Sequence, residues 1–549
     1  MDSSPARAGS ESCVSNTVDY IVVGAGSAGC VLANRLSENG KYTVCLLEAG
    51  PRDRNPWIHI PIGYGKTMFH DTLNWGFHTD PDANMLGRRI YWPRGRTLGG
   101  SSSINGLIYI RGQRQDYDRW KDSGNPGWGW EECLPYFRKL ETNDLGAGPT
   151  RGTRGPLNAT SIKTGHPLVE ALIRAGEELG LERRRDFNEG DNEGIGYYQL
   201  TTRRGKRCST AVAYLDPARR RANLRIETGA QVTGLLMEGT RARGVAYRKN
   251  GRNLALRAAR EVILSAGAVQ SPQILQLSGM GPAGLLAEHG VAVVKDLPGV
   301  GANLQDHLQV RLIYEVGKPI TTNDQLRTVW GKAGIGLQWL LFRSGPLAIG
   351  INQGAAFCRV LPDSPTADAQ LHFGTLSADM AGGVVHDFSG CTYSMCQLRP
   401  ESRGTIRIRS ADPLQAPSIQ PNYLDSDRDR RTAVAGVKYA RRLAATAPLD
   451  ALMKREFRPG GDVRGDDEIL HFCREHGATI FHPVGTARMG PASDREAVVD
   501  QRLRVHGIGG LRVVDASVMP TIVSGNTNVP TVMIAERAAD FILEDARTV

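Results

Sequence analysis

No stretch of this 549-residue chain approaches the roughly 18 uninterrupted apolar residues that a membrane-crossing helix needs, so no transmembrane segment is predicted. The opening residues, Met1 to Thr17, hold Ser, Gly, acids and a single Arg but no apolar run of the kind a secretory leader carries, and they read as a disordered extension. Nine cysteines are scattered from Cys13 to Cys473 without a Cys-x-x-Cys pair or a Cys/His zinc spacing, although Cys391 and Cys396 lie close in sequence. No metal site is therefore expected, and reduced thiols in a cytoplasmic protein fit best. Internal repeats and long low-complexity tracts are also missing. The formal charge of +10 comes without a basic stripe interleaved with aromatics and without a nucleic-acid motif, which argues against nucleic-acid binding. Arginine is spread along the chain and locally dense at Arg183-Arg184-Arg185 and Arg219-Arg220-Arg221. That pattern reads as solvated surface, with peripheral attraction to an anionic membrane face or substrate as the alternative.

With 40% hydrophobic and 23% charged residues the composition is that of a globular protein, and the length exceeds what one core usually organises. Near the N-terminus, Asp19-Tyr-Ile-Val-Val-Gly-Ala-Gly-Ser-Ala-Gly-Cys30 is a buried-strand run that breaks at Gly24, Gly26 and Gly29 and continues as a helix. Gly24 suits the tight turn, Gly26 lets backbone N–H groups approach a pyrophosphate, and Gly29 lets helix and strand pack closely. A second strand, Tyr42 to Glu48, ends in an acid placed to accept from a ribose diol. Strand, glycines, helix and acid together predict a dinucleotide site and leave NAD and FAD both open.

Two further segments look nucleotide-related, about Asn223 to Asp306 and the region from about Phe481. In the first of them Val262-Ile-Leu-Ser-Ala-Gly267 reads as a buried strand, and a helix is predicted from Ser271 to Leu277 with proline near its first turn. Between them, strand-like Gln370–Phe373 and Thr405–Arg409 alternate with helical Thr432–Ala445 and Asp466–Glu475. The expected fold is α/β with an α+β part: a Rossmann-like domain of 18–160, 205–310 and 475–546. Into it is inserted a substrate domain, 161–204 and 311–474, of antiparallel sheet backed by helices.

At Gly95-Arg-Thr-Leu-Gly-Gly-Ser-Ser-Ser-Ile-Asn-Gly-Leu-Ile-Tyr109 and Gly267-Ala-Val-Gln-Ser-Pro-Gln-Ile-Leu-Gln-Leu-Ser-Gly-Met-Gly281 the chain closely resembles both motifs of the glucose-methanol-choline (GMC) oxidoreductases. The likeness covers Asp19 to about Leu543 and looks most like bacterial choline dehydrogenases and the FAD-dependent alcohol dehydrogenases of alkane-degrading bacteria. It implies FAD as cofactor. The residues it assigns to FAD are Gly24, Ala25, Gly26, Ser27, Ala28, Gly29, Glu48, Ala49, Arg96, Leu98, Gly99, Gly100, Ser101, Asn105, Gly106, Leu107, Ile108, Val232, Ala266, Gly267, Asp515, Ala516, Pro530 and Thr531. In some relatives a histidine in the first motif bonds the flavin; the matching position here is Ile104, so the FAD is expected to be non-covalent.

Removing hydride from an alcohol needs a base for the hydroxyl proton, a carbon held over flavin N5, and stabilisation of the alkoxide-like charge. His482, in Thr479-Ile-Phe-His-Pro-Val-Gly-Thr-Ala-Arg-Met-Gly490, matches the family's catalytic base. From residue type alone the stronger reading is a satisfied core histidine, and the resemblance reverses it. Asn528 is aligned with the second catalytic position, while Asn526 is expected to cap or shape the turn, and Pro530 is expected at the first position of a final helix. His307 is assigned to flavin-side packing or hydrogen bonding. Choline-oxidising relatives place a glutamate about where Gln353 stands, and a neutral amide there favours an uncharged primary alcohol as substrate.

The expected reaction is oxidation of that alcohol to an aldehyde, with electrons passed to a quinone or other acceptor by a cytoplasmic protein that can sit on the inner membrane face. The alternatives are an oxidase using dioxygen, a choline dehydrogenase, a flavin-holding hydroxynitrile lyase without net redox change, and a nucleotide-binding protein without catalysis.

Overall fold

The computed structural model describes residues 17–379 and 383–547. Most of the expected N-terminal extension lies outside those residues, and Thr17 does not belong to an extension, because it opens the strand Thr17–Val23. That strand is the centre of a seven-stranded sheet. Val44–Glu48 and then Leu224–Thr228 run parallel to it on one side, and the second half of the long strand Arg252–Leu264 runs parallel on the other. Leu511–Val513 adds to the end of Arg252–Leu264, again in parallel. The first half of Arg252–Leu264 folds back antiparallel with Arg241–Lys249 and Ala230–Glu238. The central strands are almost wholly buried apolar runs, as parallel strands covered on both faces must be.

Helices Ser27–Ser37 and Asn528–Asp545 pack together beside these strands. Between them lies the fully buried Glu536, whose carboxylate accepts from Arg35 at 2.8 and 2.9 Å and from the Tyr214 hydroxyl at 2.8 Å. Truncating one partner of such a buried pair leaves a charge without compensation, so this clamp holds the last turn of the first helix against the middle of the second. The helix expected from Ser271 begins earlier, as Gly267–Leu277, and Pro272 is therefore interior. The ring removes the N–H that would have bonded Ala268 O, and the Thr486 hydroxyl donates to that carbonyl instead, at 2.7 Å. Among the described residues every cysteine is a buried free thiol.

A second sheet of eight strands runs Met453–Arg458, Leu308–Val316, Gly390–Gln397, Ala369–Gly374, Asn352–Cys358, Gly194–Tyr197, Arg183–Arg184, with Ala478–Thr479 also paired to Leu308–Val316. Its pairings are antiparallel apart from the last, between Gly194–Tyr197 and Arg183–Arg184. Leu308–Val316 spans the boundary expected between 310 and 311, and Ala478–Thr479 brings residues beyond 475 into this sheet.

Alternation sorts the two faces of this sheet. Leu308, Val310, Leu312, Leu371, Phe373, Tyr393 and Met395 form a core with the helices Pro167–Glu178, Asp427–Ala444 and Asp466–His476. Helix Asp427–Ala444 starts before the expected Thr432 because Ser426 caps it, accepting from Asp429 N at 3.0 Å. The interleaved residues Gln309, Arg311, Gln370, His372, Thr392 and Ser394 take the opposite, polar face.

Candidate active site

A cavity of about 650 Å³ lies between the carboxyl ends of the first sheet and the polar face of the second. Its walls include Gly24, Gly26, Ser27, Ala28, Glu48 and Ala49 from the N-terminal unit and Gly100, Ser101, Asn105, Gly106, Leu107 and Ile108 from the second motif. Val232, Ala266, Gly267, Asp515, Ala516, Asn528 and Thr531 also line it, together with His482. Gly29 packs behind: a Cβ there would stand 1.9 Å from Gly24 O. Gly100 packs directly on the first motif, since its Cβ would meet Gly26 Cα at 2.6 Å. Two glycine turns distant in sequence thus form one thin-walled cradle.

This cradle fits an FAD. The helix Ser27–Ser37 has Gly26 at its cap, no side-chain acceptor there and no acid in its first turn, so its leading N–H groups are available to a pyrophosphate. Glu48 accepts from Ala25 N at 2.9 Å and Gly50 N at 2.8 Å, which leaves lone pairs for a ribose diol; burial pushes its carboxyl up to about 7 against those two donors. Asp515 ties the segments together, accepting from Gly267 N at 2.9 Å and the Ser271 hydroxyl at 2.6 Å on one oxygen and from Ser517 N at 2.8 Å on the other. Ser265 Oγ, also on the wall, is a buried hydroxyl without a partner. Of the expected cofactor residues, Ala25, Arg96, Leu98, Gly99 and Pro530 stand behind the wall with Gly29. The final helix begins at Asn528, so Pro530 occupies its first turn but not its first position; an N–H is dispensable anywhere in that turn.

His482 is held on every side. Its backbone N–H donates to Asp306 at 2.7 Å, and the same buried carboxylate accepts from the hydroxyls of Thr479, at 2.5 Å, and Tyr423. Phe481 is left-handed, at φ +72°, and Arg94 donates to its carbonyl at 2.7 Å. The two imidazoles of His482 and His307 meet through their Nδ1 atoms at 3.1 Å, and His307 Nε2 lies 3.0 Å from Leu398 O. A carbonyl only accepts, so His307 carries its proton on Nε2. Burial drives His307 down to about 4, which leaves its Nδ1 as an unprotonated acceptor. His482 must then donate from Nδ1, and its Nε2 presents a lone pair. His307 thus sets the tautomer of His482.

The neighbour of that lone pair is Asn526, whose Nδ2 lies 3.1 Å from His482 Nε2 and whose Oδ1 accepts from Gln370 at 3.4 Å. Asn528, expected to take this place, instead accepts from the Ser27 hydroxyl at 2.7 Å and joins two helix starts. The side chain beside His482 Nε2 is thus that of Asn526 and not that of Asn528. Gln353 is also corrected: its amide donates to Thr375 Oγ1 at 3.1 Å, and the adjacent Asn352 lines the cavity in its stead. His482 is held well below 6.5 by burial first, then by His307, Arg94 and His372, so its ring is neutral at neutral pH.

The GMC oxidoreductase family model matches residues 18–309 for its N-terminal part and 400–535 for its C-terminal part. The chain belongs to the GMC oxidoreductases. It is 44% identical to mitochondrial choline dehydrogenase of Homo sapiens over 98% of this chain and 91% of that one. It is 43% identical to an alcohol dehydrogenase [acceptor] of Pseudomonas putida over 96% and 95%. Among solved structures it is similar to pyridoxine 4-oxidase from Mesorbium loti, with TM-score 0.87 and 32% identity over 96% of this chain and 99% of that one. It is also similar to an FAD-dependent oxidoreductase from Chaetomium thermophilum, with TM-score 0.89 and 28% identity over 96% and 100%. As a GMC member the protein is an FAD oxidoreductase acting on CH–OH donors.

Several residues of this GMC site were not singled out from sequence: Arg94, Asn352, Gln370, His372 and Arg311. Most come from the polar face of the second sheet. The legible signal was the alternation Leu308-Gln-Val-Arg-Leu312, in which polar residues interrupt an otherwise buried strand.

Proposed function

We propose that this GMC oxidoreductase converts a primary alcohol to the aldehyde, with His482 as the base. The reading rests on the unprotonated His482 Nε2 turned to Asn526 beside the cavity. FAD bound in the cradle supplies a two-electron acceptor for the hydride. His482 Nε2 takes the hydroxyl proton while Asn526 Nδ2, freed from the imidazole, donates to the substrate oxygen as its negative charge grows. Ile104 on the cavity wall offers no nucleophile to the flavin, which supports dissociable FAD. Anaerobic mixing with an alcohol panel that includes choline tests the reading: the flavin absorbance should bleach with a primary alcohol. An unbleached flavin with every carbinol, or aldehyde release from a cyanohydrin without bleaching, would overturn it.

Choline is the second reading, favoured by the identity to choline dehydrogenases. Against it stand the neutral amide of Asn352 and the guanidinium of Arg311 on the cavity wall, where a quaternary ammonium calls for a carboxylate.

For the acceptor we favour a membrane quinone over dioxygen. No described helix is long and apolar enough to cross a membrane. The helix Val329–Phe342, however, leaves Trp330 86% and Phe342 73% exposed, along with Leu337, Leu340 and Leu341. It carries Lys332 and no acid, Arg327 and Arg343 flank it, and Leu326 beside it lines the cavity. An apolar helix with cationic ends suits the surface of anionic phospholipid. The protein should float with anionic vesicles and not with zwitterionic ones, and Trp330→Ser with Phe342→Ser should abolish flotation while leaving turnover with a soluble quinone analogue. Flotation unchanged in that variant would remove the helix as the docking element.

A further inference from the structure

Three polar side chains stand in one row across the second sheet. Ser394, on Gly390–Gln397, is the register partner of Arg311 on Leu308–Val316 and of His372 on Ala369–Gly374. Neighbours in such a row are about 4.8 Å apart, so cation, hydroxyl and imidazole form a short line on the cavity wall. None of the three side chains has a hydrogen bond or ion pair among the described residues. Both ring nitrogens of His372 are buried and unpartnered. Burial first, and then Arg311, lowers that ring to about 3, so it is neutral and has one N–H to donate. Tyr64 Oη, close to Arg311, accepts from Ile351 N at 3.1 Å and keeps its own proton free.

Leaving an enclosed guanidinium unpaired is expensive, and burial lowers Arg311 to about 10. The cradle that fits FAD is built on the first sheet and its glycine turns, whereas this row belongs to the facing sheet. The donors await an anion that arrives with the substrate. A single cation flanked by neutral donors matches one negative charge, and a planar guanidinium matches a carboxylate by two parallel bonds.

We infer that Arg311, with His372 and Ser394, binds a carboxylate carried by the alcohol substrate, so that the enzyme oxidises hydroxy acids whose carbinol and carboxylate are separated by a spacer. From His307, which touches His482, to Arg311 is four residues of extended chain, about 13 Å, so the spacer contains several carbons. The inference rests on the alcohol-oxidising reading above and replaces the uncharged substrate expected from sequence with an anionic one.

The test compares ω-hydroxyoctanoate with its methyl ester and with octanol on the FAD-loaded enzyme, and measures binding of octanoate against octanamide by calorimetry. The wild type should bind octanoate and not octanamide, and should favour the hydroxy acid over its ester about ten- to hundredfold in kcat/KM. Arg311→Gln should raise KM for the hydroxy acid with kcat nearly retained, remove the preference and keep its FAD; Arg311→Lys should restore part of it. No carboxylate preference in the wild type, a preference that survives Arg311→Gln, or loss of FAD from that variant would overturn the inference. If no carbinol bleaches the flavin yet octanoate binds through Arg311, the alcohol-oxidising reading fails and the anion site stands.

Discussion

Replacement of His482 by alanine is expected to lower alcohol turnover roughly 100- to 10,000-fold while the protein keeps its FAD. The expectation follows from the chain Leu398 O, His307, His482, which leaves one ring nitrogen as the base near the cavity. Steady-state kinetics beside the flavin absorbance of the purified variant separates loss of the base from loss of the cofactor; undiminished turnover would remove His482 from the mechanism. The wild-type pH profile carries a second sign of the same base. His482 is depressed below its ordinary 6.5, so its neutral form persists as pH falls. The acid limb of kcat/KM, which reports the free enzyme, is therefore expected below pH 6.5. An acid limb at or above that value would mean that the base is another group or a solvated imidazole. Because the folded pKa is depressed, protonation of His482 favours the unfolded chain, so stability is expected to fall as pH drops below 6.5.

Asn526→Ala and Asn528→Ala should differ in kind. Asn526 donates into the space beside His482 Nε2, and loss of a donor to a developing oxyanion typically costs roughly 100- to 1,000-fold in kcat. Asn528 accepts from Ser27 at 2.7 Å, a link between two helix starts at the FAD cradle. Its loss should weaken FAD retention and lower thermal stability by about 1 kcal/mol, with a far smaller effect on kcat. Thermal melts, FAD titration and kcat measured on both variants decide the matter. Equal losses of kcat, or a larger loss in Asn528→Ala, would return the catalytic role to Asn528.

The confusion between these two asparagines has a physical origin. They sit two residues apart where a turn at Gly525 enters a helix, and motif spacing does not say which side chain swings towards the histidine. The Gln353 expectation failed for a related reason. A register shift between Asn352 and Gly354 inserts one extra residue into that strand. Regular alternation from Ala355, which faces His372, would put Gln353 on the cavity; the bulge hands that position to Asn352. His307 was noticed in the sequence, but its pairing with His482 was not, since that partner lies 175 residues away.

Local chemistry made the rest readable. A glycine turn between strand and helix, an acid at the end of the next strand and two long motifs are each contiguous in the chain, and each carries its own steric or hydrogen-bonding reason. From these alone the dinucleotide cradle and the FAD family follow. The tautomer of His482, the identity of its amide neighbour and the Arg311–Ser394–His372 row required the folded molecule. Every one of them depends on cross-strand register or on a carbonyl brought in from a distant segment, and neither leaves a periodicity that one segment of sequence can display.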